Sequence, residues 1–247
     1  MKRFSNKIAL VTGGNSGIGY ATARELVDEG ATVIITGRRK EAIEKAAQEI
    51  GAVPFVADQA NVEDTKALLK QIQQAYGPLD ILFINAGITG ELLPIEQMTE
   101  ANFDAVMNIN FRGAYFTLSQ SIPLLKDGAS VVILSSMVAS TYHPNSSVYQ
   151  ASKAALNSIA KTAANELAPR KIRVNMVSPG PTQTEVMKKA GLDEATLDAL
   201  YRNLTEMIPL RKIGTPEDVA RLVCYLCEDS ASFITGSDFV IDGGMTL

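Results

Sequence analysis

The sequence predicts an α/β protein with a Rossmann-type, doubly wound parallel sheet of about seven strands and helices on both faces. Two observations carry that expectation. Short apolar runs alternate with longer segments of helical period along the 247 residues, the βαβ rhythm from which parallel sheets are built. The first run also stops at a glycine cluster that opens a helix, a turn at which backbone amides and a helix N-terminus can meet a pyrophosphate.

The elements follow in order. Residues 7–12 (KIALVT) form the first strand, ending at Gly13-Gly14-Asn15-Ser16-Gly17-Ile18-Gly19, and the helix after it closes at Gly30. Residues 32–36 (TVIIT) read as a second strand of the buried type, followed by Gly37-Arg38-Arg39-Lys40 and a helix from Glu41 to Ile50. Val53 to Ala57 is a third strand ending at Asp58, Asn61 to Tyr76 an amphipathic helix, and Leu79 to Ile84 a fourth strand running into Asn85-Ala86-Gly87. One long helix is expected from about Thr99 towards Ile122, a fifth strand from Ser130 to Leu134 with Ser135 and Ser136 at its end, and a helix from Val148 to Leu167. Arg173 to Val177 is a sixth strand closed by Ser178-Pro179-Gly180. Residues 181–213 break the rhythm with short helical stretches, as a lid or binding loop does. A last helix opens at Thr215-Pro216-Glu217-Asp218, a strong start signal, and Phe239 to Ile241 is the seventh strand. The expected organisation is one domain over 1–247 with a substrate loop at about 181–213.

Composition narrows the function classes. The net charge of −4 arises from 23 basic and 27 acidic residues that are well mixed, so no basic stripe exists to track nucleic acid. No apolar run approaches the ~20 residues of a membrane helix, and a soluble, cytoplasmic chain is expected. Cys224 and Cys227 fall on a helix and read as small apolar residues, not as a redox or metal pair. His143 is the only histidine, which leaves little material for a metal centre, and no metal is expected.

Tyr149 and Lys153 carry the chemistry. At i and i+4 of a helix they lie one above the other. A cation beside a phenol favours the phenolate, so the pair can exchange a proton with a substrate.

The segment TGGNSGIG at 12–19 resembles the TGxxxGxG signature of short-chain dehydrogenases/reductases, and four further motifs follow in that family's order: NAG at 85–87, Asn110, Ser136 with YQASK at 149–153, and PG at 179–180. The chain is thereby identified as a member of the classical branch of the family, over nearly its whole length. The resemblance implies that Tyr149 is general acid in carbonyl reduction, and base in the reverse direction. Lys153 would hold the nicotinamide ribose and lower the phenol's pKa. Ser136 would bond the carbonyl oxygen, with Ser135 as rival, and Asn110 would anchor a water leading from Lys153 to solvent. Around the cofactor it implies Gly13, Asn15, Ser16, Gly17, Ile18 and Gly19 at the pyrophosphate and Asn85, Ala86 and Gly87 as a wall. It places Asp58 at the adenine, although Asp58 reads equally as a solvated carboxylate, and Pro179, Gly180, Thr182 and Thr184 near the carboxamide.

Dinucleotide folds place an acidic residue about 20 positions beyond the glycine turn to bind the adenosine ribose. Here that position is Gly37, and Arg38 and Arg39 follow, cations suited to a 2′-phosphate. NADP(H) is therefore favoured and NAD(H) remains admissible. The expected substrate is a small carbonyl or alcohol, and the alternatives are a 3-oxoacyl group on acyl carrier protein, or a dinucleotide-binding regulator without turnover. For an acidic carrier, Arg170, Lys171 and Arg173 are the local basic cluster. The family is also known for tetramers built from the two long helices and the C-terminal segment, so a homotetramer is expected. Tyr142, His143, Met187, Leu204 and Met207 either line an apolar substrate pocket or cover surface.

Overall fold

A computed structural model describes residues 2–184 and 194–247 of the chain. Seven strands form one parallel sheet in the order β3-β2-β1-β4-β5-β6-β7: β1 Ile8–Thr12, β2 Thr32–Gly37, β3 Val53–Val56, β4 Leu79–Ile84, β5 Leu125–Leu134, β6 Arg173–Pro179 and β7 Asp238–Ile241. The order reverses between β1 and β4, and the crevice outside the carboxyl ends at such a switch point is where ligands bind in open parallel sheets.

The helices are α1 Gly17–Asp28, α2 Lys40–Ile50, α3 Val62–Ala75, α4 Glu100–Met107, α5 Ala114–Ser121, α6 Ser147–Leu167, α7 Glu194–Met207 and α8 Pro216–Cys227. Alternate residues along each strand point to opposite faces, so adjacent apolar residues serve two cores. Leu10, Ile34, Leu82 and Val131 pack with Leu69 and Ile72 of α3, Leu118 of α5 and Leu156 and Ala160 of α6. Val11, Ile35, Phe83 and Val132 pack on the other face with Leu26 of α1, Ile43 of α2 and Val223 and Cys224 of α8. Cys224 and Cys227 are both buried in that second core, and burial pushes both thiols up, Cys227 to about 12. Among the described residues no group of His, Cys, Asp or Glu is placed to hold a metal ion, and no helix is long and apolar enough to cross a membrane.

The structure departs from the sequence expectations in two helical elements, besides a β5 that begins at Leu125, five residues ahead of the expected Ser130. The single long helix expected over about 99–122 is divided: α4 and α5 are joined by a π-helical turn, Asn108–Gly113. Its cause is tertiary. The Asn110 side chain accepts from the Ile88 N–H at 2.8 Å and donates to the Ile88 carbonyl at 2.7 Å, which draws this turn towards the loop after β4. Gly113 sits where an added Cβ would be 2.4 Å from the Gln59 carbonyl oxygen, so the loop after β3 presses directly on the turn. The second departure is α7, a 14-residue helix where only short stretches were expected. Residues 185–193, which include Met187, lie outside the described residues.

Candidate active site

The site begins at the carboxyl end of β1. Gly13 has φ +66° and Gly17 φ +56°, in the left-handed region that glycine tolerates. A Cβ on Gly19 would lie 2.4 Å from the Gly13 carbonyl oxygen, so the chain folds back on itself at this turn. Ser16 takes the N-cap position of α1 without a side-chain capping bond. The first amides of α1 thus open into the cleft with the helix dipole's positive end behind them.

The loop after β4 is tied to this turn by a small network. The Thr12 hydroxyl accepts from the N–H groups of Asn85 and Ala86 at 3.0 and 3.1 Å, and the Asn85 side chain donates to the carbonyls of Thr12 and Gly13 at 2.9 and 3.2 Å. Together they shape a cleft of about 650 Å³, lined by Gly13, Asn15, Ser16, Gly17, Ile18, Arg38, Arg39, Asp58, Asn85, Ala86, Gly87 and Thr184. The volume is that of a site for a small organic ligand. Gly19 lies behind the lining, a packing residue. Arg38 and Arg39 are exposed on the cleft's rim, and neither guanidinium has a partner among the described residues. The Asp58 carboxylate accepts from the Ala60 N–H at 3.0 Å, which holds the loop after β3 in a tight turn.

A second chamber of about 280 Å³ continues from the cleft and shares with it Ile18, Asn85, Gly87, Ile88, Leu134 and Thr184. Ser135, Ser136, Tyr149, Lys153, Pro179, Gly180 and Thr182 line it. The structure therefore brings Ser136, Tyr149 and Lys153 together with the glycine turn. Ser136 faces the same chamber as the Tyr149 phenol and acts to lower its pKa. Ser135 instead turns its hydroxyl to the Lys153 carbonyl at 3.5 Å. Thr182 donates to the Gly180 carbonyl at 3.0 Å and is bridged to Gly214.

Lys153 is 4% exposed. Its Nζ donates to the Leu134 carbonyl at 2.8 Å and stands 5.8 Å from the Tyr149 ring centroid. Burial pushes the ammonium down to about 8. One expectation needs correcting here. The phenol of Tyr149 lies above its ordinary value, because burial raises it more than the neighbouring Ser136 lowers it. The Lys153 ammonium is spent on a backbone carbonyl and does not reverse that.

Asn110 is buried and stands behind the chamber. Besides its two bonds to Ile88, its amide donates to the Ser152 hydroxyl at 3.1 Å, next to Lys153. Three contributors escaped the sequence reading. Thr12 and Leu134 act through a hydroxyl inside an apolar strand and through a main-chain oxygen, which leave little or no side-chain signal. Gln59 lines the cleft, and its position directly after Asp58 was the available clue.

Other expectations fall outside the site. Tyr142 is 95% and Met207 62% exposed, His143 is exposed and Leu204 half-buried. None of the four lines the cleft or the chamber, so they cover surface. The basic cluster is not at the cleft mouth either. Arg173 begins β6, at the sheet's opposite end, where it is buried on the carbonyls of Leu226 and Glu228, and Arg170 pairs with Asp127.

Three kinds of likeness agree with this geometry. Residues 13–246 match the family model described as Enoyl-(Acyl carrier protein) reductase. The chain is 36% identical to the 3-oxoacyl-[acyl-carrier-protein] reductase FabG of Thermotoga maritima, across 99% of this chain and 100% of the relative. It is 34% identical to a cyclohexanol dehydrogenase of an Acinetobacter species, across 99% and 96%. Its fold matches the crystal structure of a short-chain dehydrogenase/reductase SDR:glucose/ribitol dehydrogenase from Brucella melitensis with a TM-score of 0.93, at 29% identity and with both chains fully covered. The chain belongs to the classical short-chain dehydrogenase/reductase family: it is an oxidoreductase of CH–OH and C=O groups whose family works with a nicotinamide dinucleotide.

Proposed function

We propose that this chain interconverts a ketone and a secondary alcohol, with NADP(H) as the favoured and NAD(H) as an admissible cofactor. The observation that carries the proposal is the convergence of Ser136, Tyr149 and Lys153 in a chamber continuous with the glycine-turn cleft. The nicotinamide, when bound, supplies or accepts the hydride at the substrate carbon. Tyr149 gives its phenolic proton to the carbonyl oxygen, and a phenol that stays protonated at neutral pH is suited to that direction. Ser136 donates to the same oxygen and sets its position. Lys153 holds the nicotinamide ribose, and Asn110 steadies the wall between Ile88 and Ser152 and anchors a water leading to solvent. Gly13, Asn15, Ser16, Gly17 and Ile18 cradle the pyrophosphate, with Gly19 packed behind them. Asp58 meets the adenine, Asn85, Ala86 and Gly87 form the wall, and Pro179, Gly180, Thr182 and Thr184 face the carboxamide.

Support for NADP(H) comes from a neutral Gly37 followed by two guanidinium groups on the cleft rim that have no partner among the described residues. Residues 181–213 act as the substrate loop of one domain. A panel of ketones and secondary alcohols, followed by nicotinamide absorbance with each cofactor, tests the proposal, and turnover of none of them counts against it.

A second reading takes a 3-oxoacyl group on acyl carrier protein as substrate, and the name of the Thermotoga relative supports it. A kcat/KM at least about tenfold higher for the carrier-linked than for the free 3-oxoacyl ester would favour it. The described basic cluster lends it no docking site.

A further inference from the structure

Resting on the catalytic reading above, we propose that Gln59 is a positioning residue that joins the adenine side of the cleft to the catalytic side. Its side chain is buried at the cleft wall. One amide nitrogen donates to two main-chain carbonyls, Ala86 at 3.0 Å and Ile109 at 3.1 Å. These belong to different segments: Ala86 to the loop after β4, and Ile109 to the π turn that carries Asn110. Only the NH₂ end of the amide can serve both carbonyls, so its orientation is determined.

The consequence runs through the next contacts. Asn110 follows Ile109 directly, and its side chain grips the main chain of Ile88 and the hydroxyl of Ser152. Ser152 precedes Lys153. A shift of the π turn therefore reaches the residue next to the ammonium, and a shift of Ala86 reaches the cleft wall. The main chain of Gln59 is wedged against the same turn at Gly113, and Arg112 donates to the Ala60 carbonyl at 3.2 Å. The loop after β3 and the π turn are thus held together from both sides of the amide.

The Gln59 Oε1 is buried and has no hydrogen-bond partner among the described residues. An orphaned acceptor is unfavourable, and an apolar side chain of similar size would avoid it. What offsets the cost is the pair of donated bonds, which no apolar side chain supplies. That separates the role from packing.

Two variants test this, with Tyr149→Phe alongside. Gln59→Leu removes both bonds at similar volume. Its kcat should fall about 10- to 100-fold, as misplacement of a reacting constellation does, while the dissociation constant for the nicotinamide cofactor stays within about threefold. Gln59→Glu keeps the shape and adds a titration. Protonated, the carboxyl donates to one carbonyl; ionised, it donates to neither and repels both. The neighbouring charges Asp58, Asp64 and Arg112 are common to variant and wild type, so their own titrations cancel in the ratio; the two carboxylates and burial push the introduced carboxyl up and Arg112 pulls it down. The kcat ratio of Gln59→Glu to wild type should fall at least about tenfold across the titration of the introduced carboxyl, followed from about pH 4.5 to 9. A ratio flat with pH overturns the inference, even where Gln59→Leu does not fold. So does a folded Gln59→Leu with kcat within about twofold of wild type. Normal Gln59 variants beside an inactive Tyr149→Phe sink this inference alone, whereas an active Tyr149→Phe sinks the catalytic reading beneath it.

Discussion

At Gly37 a side chain has little room but enough. An added Cβ would lie 3.0 Å from the Asn15 Oδ1, a contact that a small displacement of Asn15 relieves. Gly37→Asp should therefore fold and place a carboxylate where a 2′-phosphate would sit, shifting the kcat/KM ratio towards NADH. Arg38→Ala should lose mainly NADPH, by about tenfold for one charge-assisted contact of about 1.5 kcal/mol. A wild-type preference for NADH that Arg38→Ala leaves unchanged would show that these arginines do not read the cofactor. Lys153 gives a stability test. Its folded pKa, about 8, lies below its ordinary 10.5. Below pH 8 both folded and unfolded chains carry the ammonium, and the folded one bears the cost of burying it. Between 8 and 10.5 the folded chain has shed a proton that the unfolded chain retains, so stability from this group rises with pH, by up to ~1.4 kcal/mol per unit. The raised phenol of Tyr149 works in the opposite sense, but only above its ordinary value of 10.0. Thermal melts from pH 7.5 to 9.5 should thus show wild type gaining on Lys153→Met. A difference that stays flat would mean that the ammonium is not desolvated.

Among the elements, α8 is held by a complete capping box. The Thr215 hydroxyl accepts from the Asp218 N–H at 3.2 Å, and the Asp218 carboxylate accepts from the Thr215 N–H at 3.0 Å. Thr215→Ala should cost about 1 kcal/mol of stability in denaturant titrations, and an unchanged midpoint would show that the core contacts of Val219 and Val223 set the helix alone. This cap was legible in the sequence because its bonds run between near neighbours. The strands were legible for a different reason: burial on both faces makes Leu10 and Val11, or Ile34 and Ile35, equally apolar. The π turn was not, because the cause of the extra residue is the grip of Asn110 on Ile88, 22 positions away. Of the candidate site, the glycine turn, Ser136, Tyr149 and Lys153 could be placed from spacing. What Lys153 touches could not, since its acceptor is the main-chain oxygen of Leu134. Gln59 was missed on the same ground, as both its acceptors are main-chain carbonyls.

At the scale of the whole molecule, Phe103 of α4 is 46% exposed, Tyr115 of α5 45% and Val240 of the edge strand β7 52%. A homotetramer, the expectation from the family resemblance, would cover apolar side chains of this kind. Sedimentation at micromolar concentration should give a mass about four times 26.5 kDa, and a monomer would contradict the expectation. The claim on which everything else depends is that Tyr149 exchanges the proton in the reaction. It is tested most directly by kcat for the best ketone found, in wild type and Tyr149→Phe, beside the cofactor dissociation constant of each. Cofactor binding should be unchanged and kcat lower by about 10² to 10⁴, whereas a Tyr149→Phe kcat within about tenfold of wild type would show that Tyr149 does not exchange the proton.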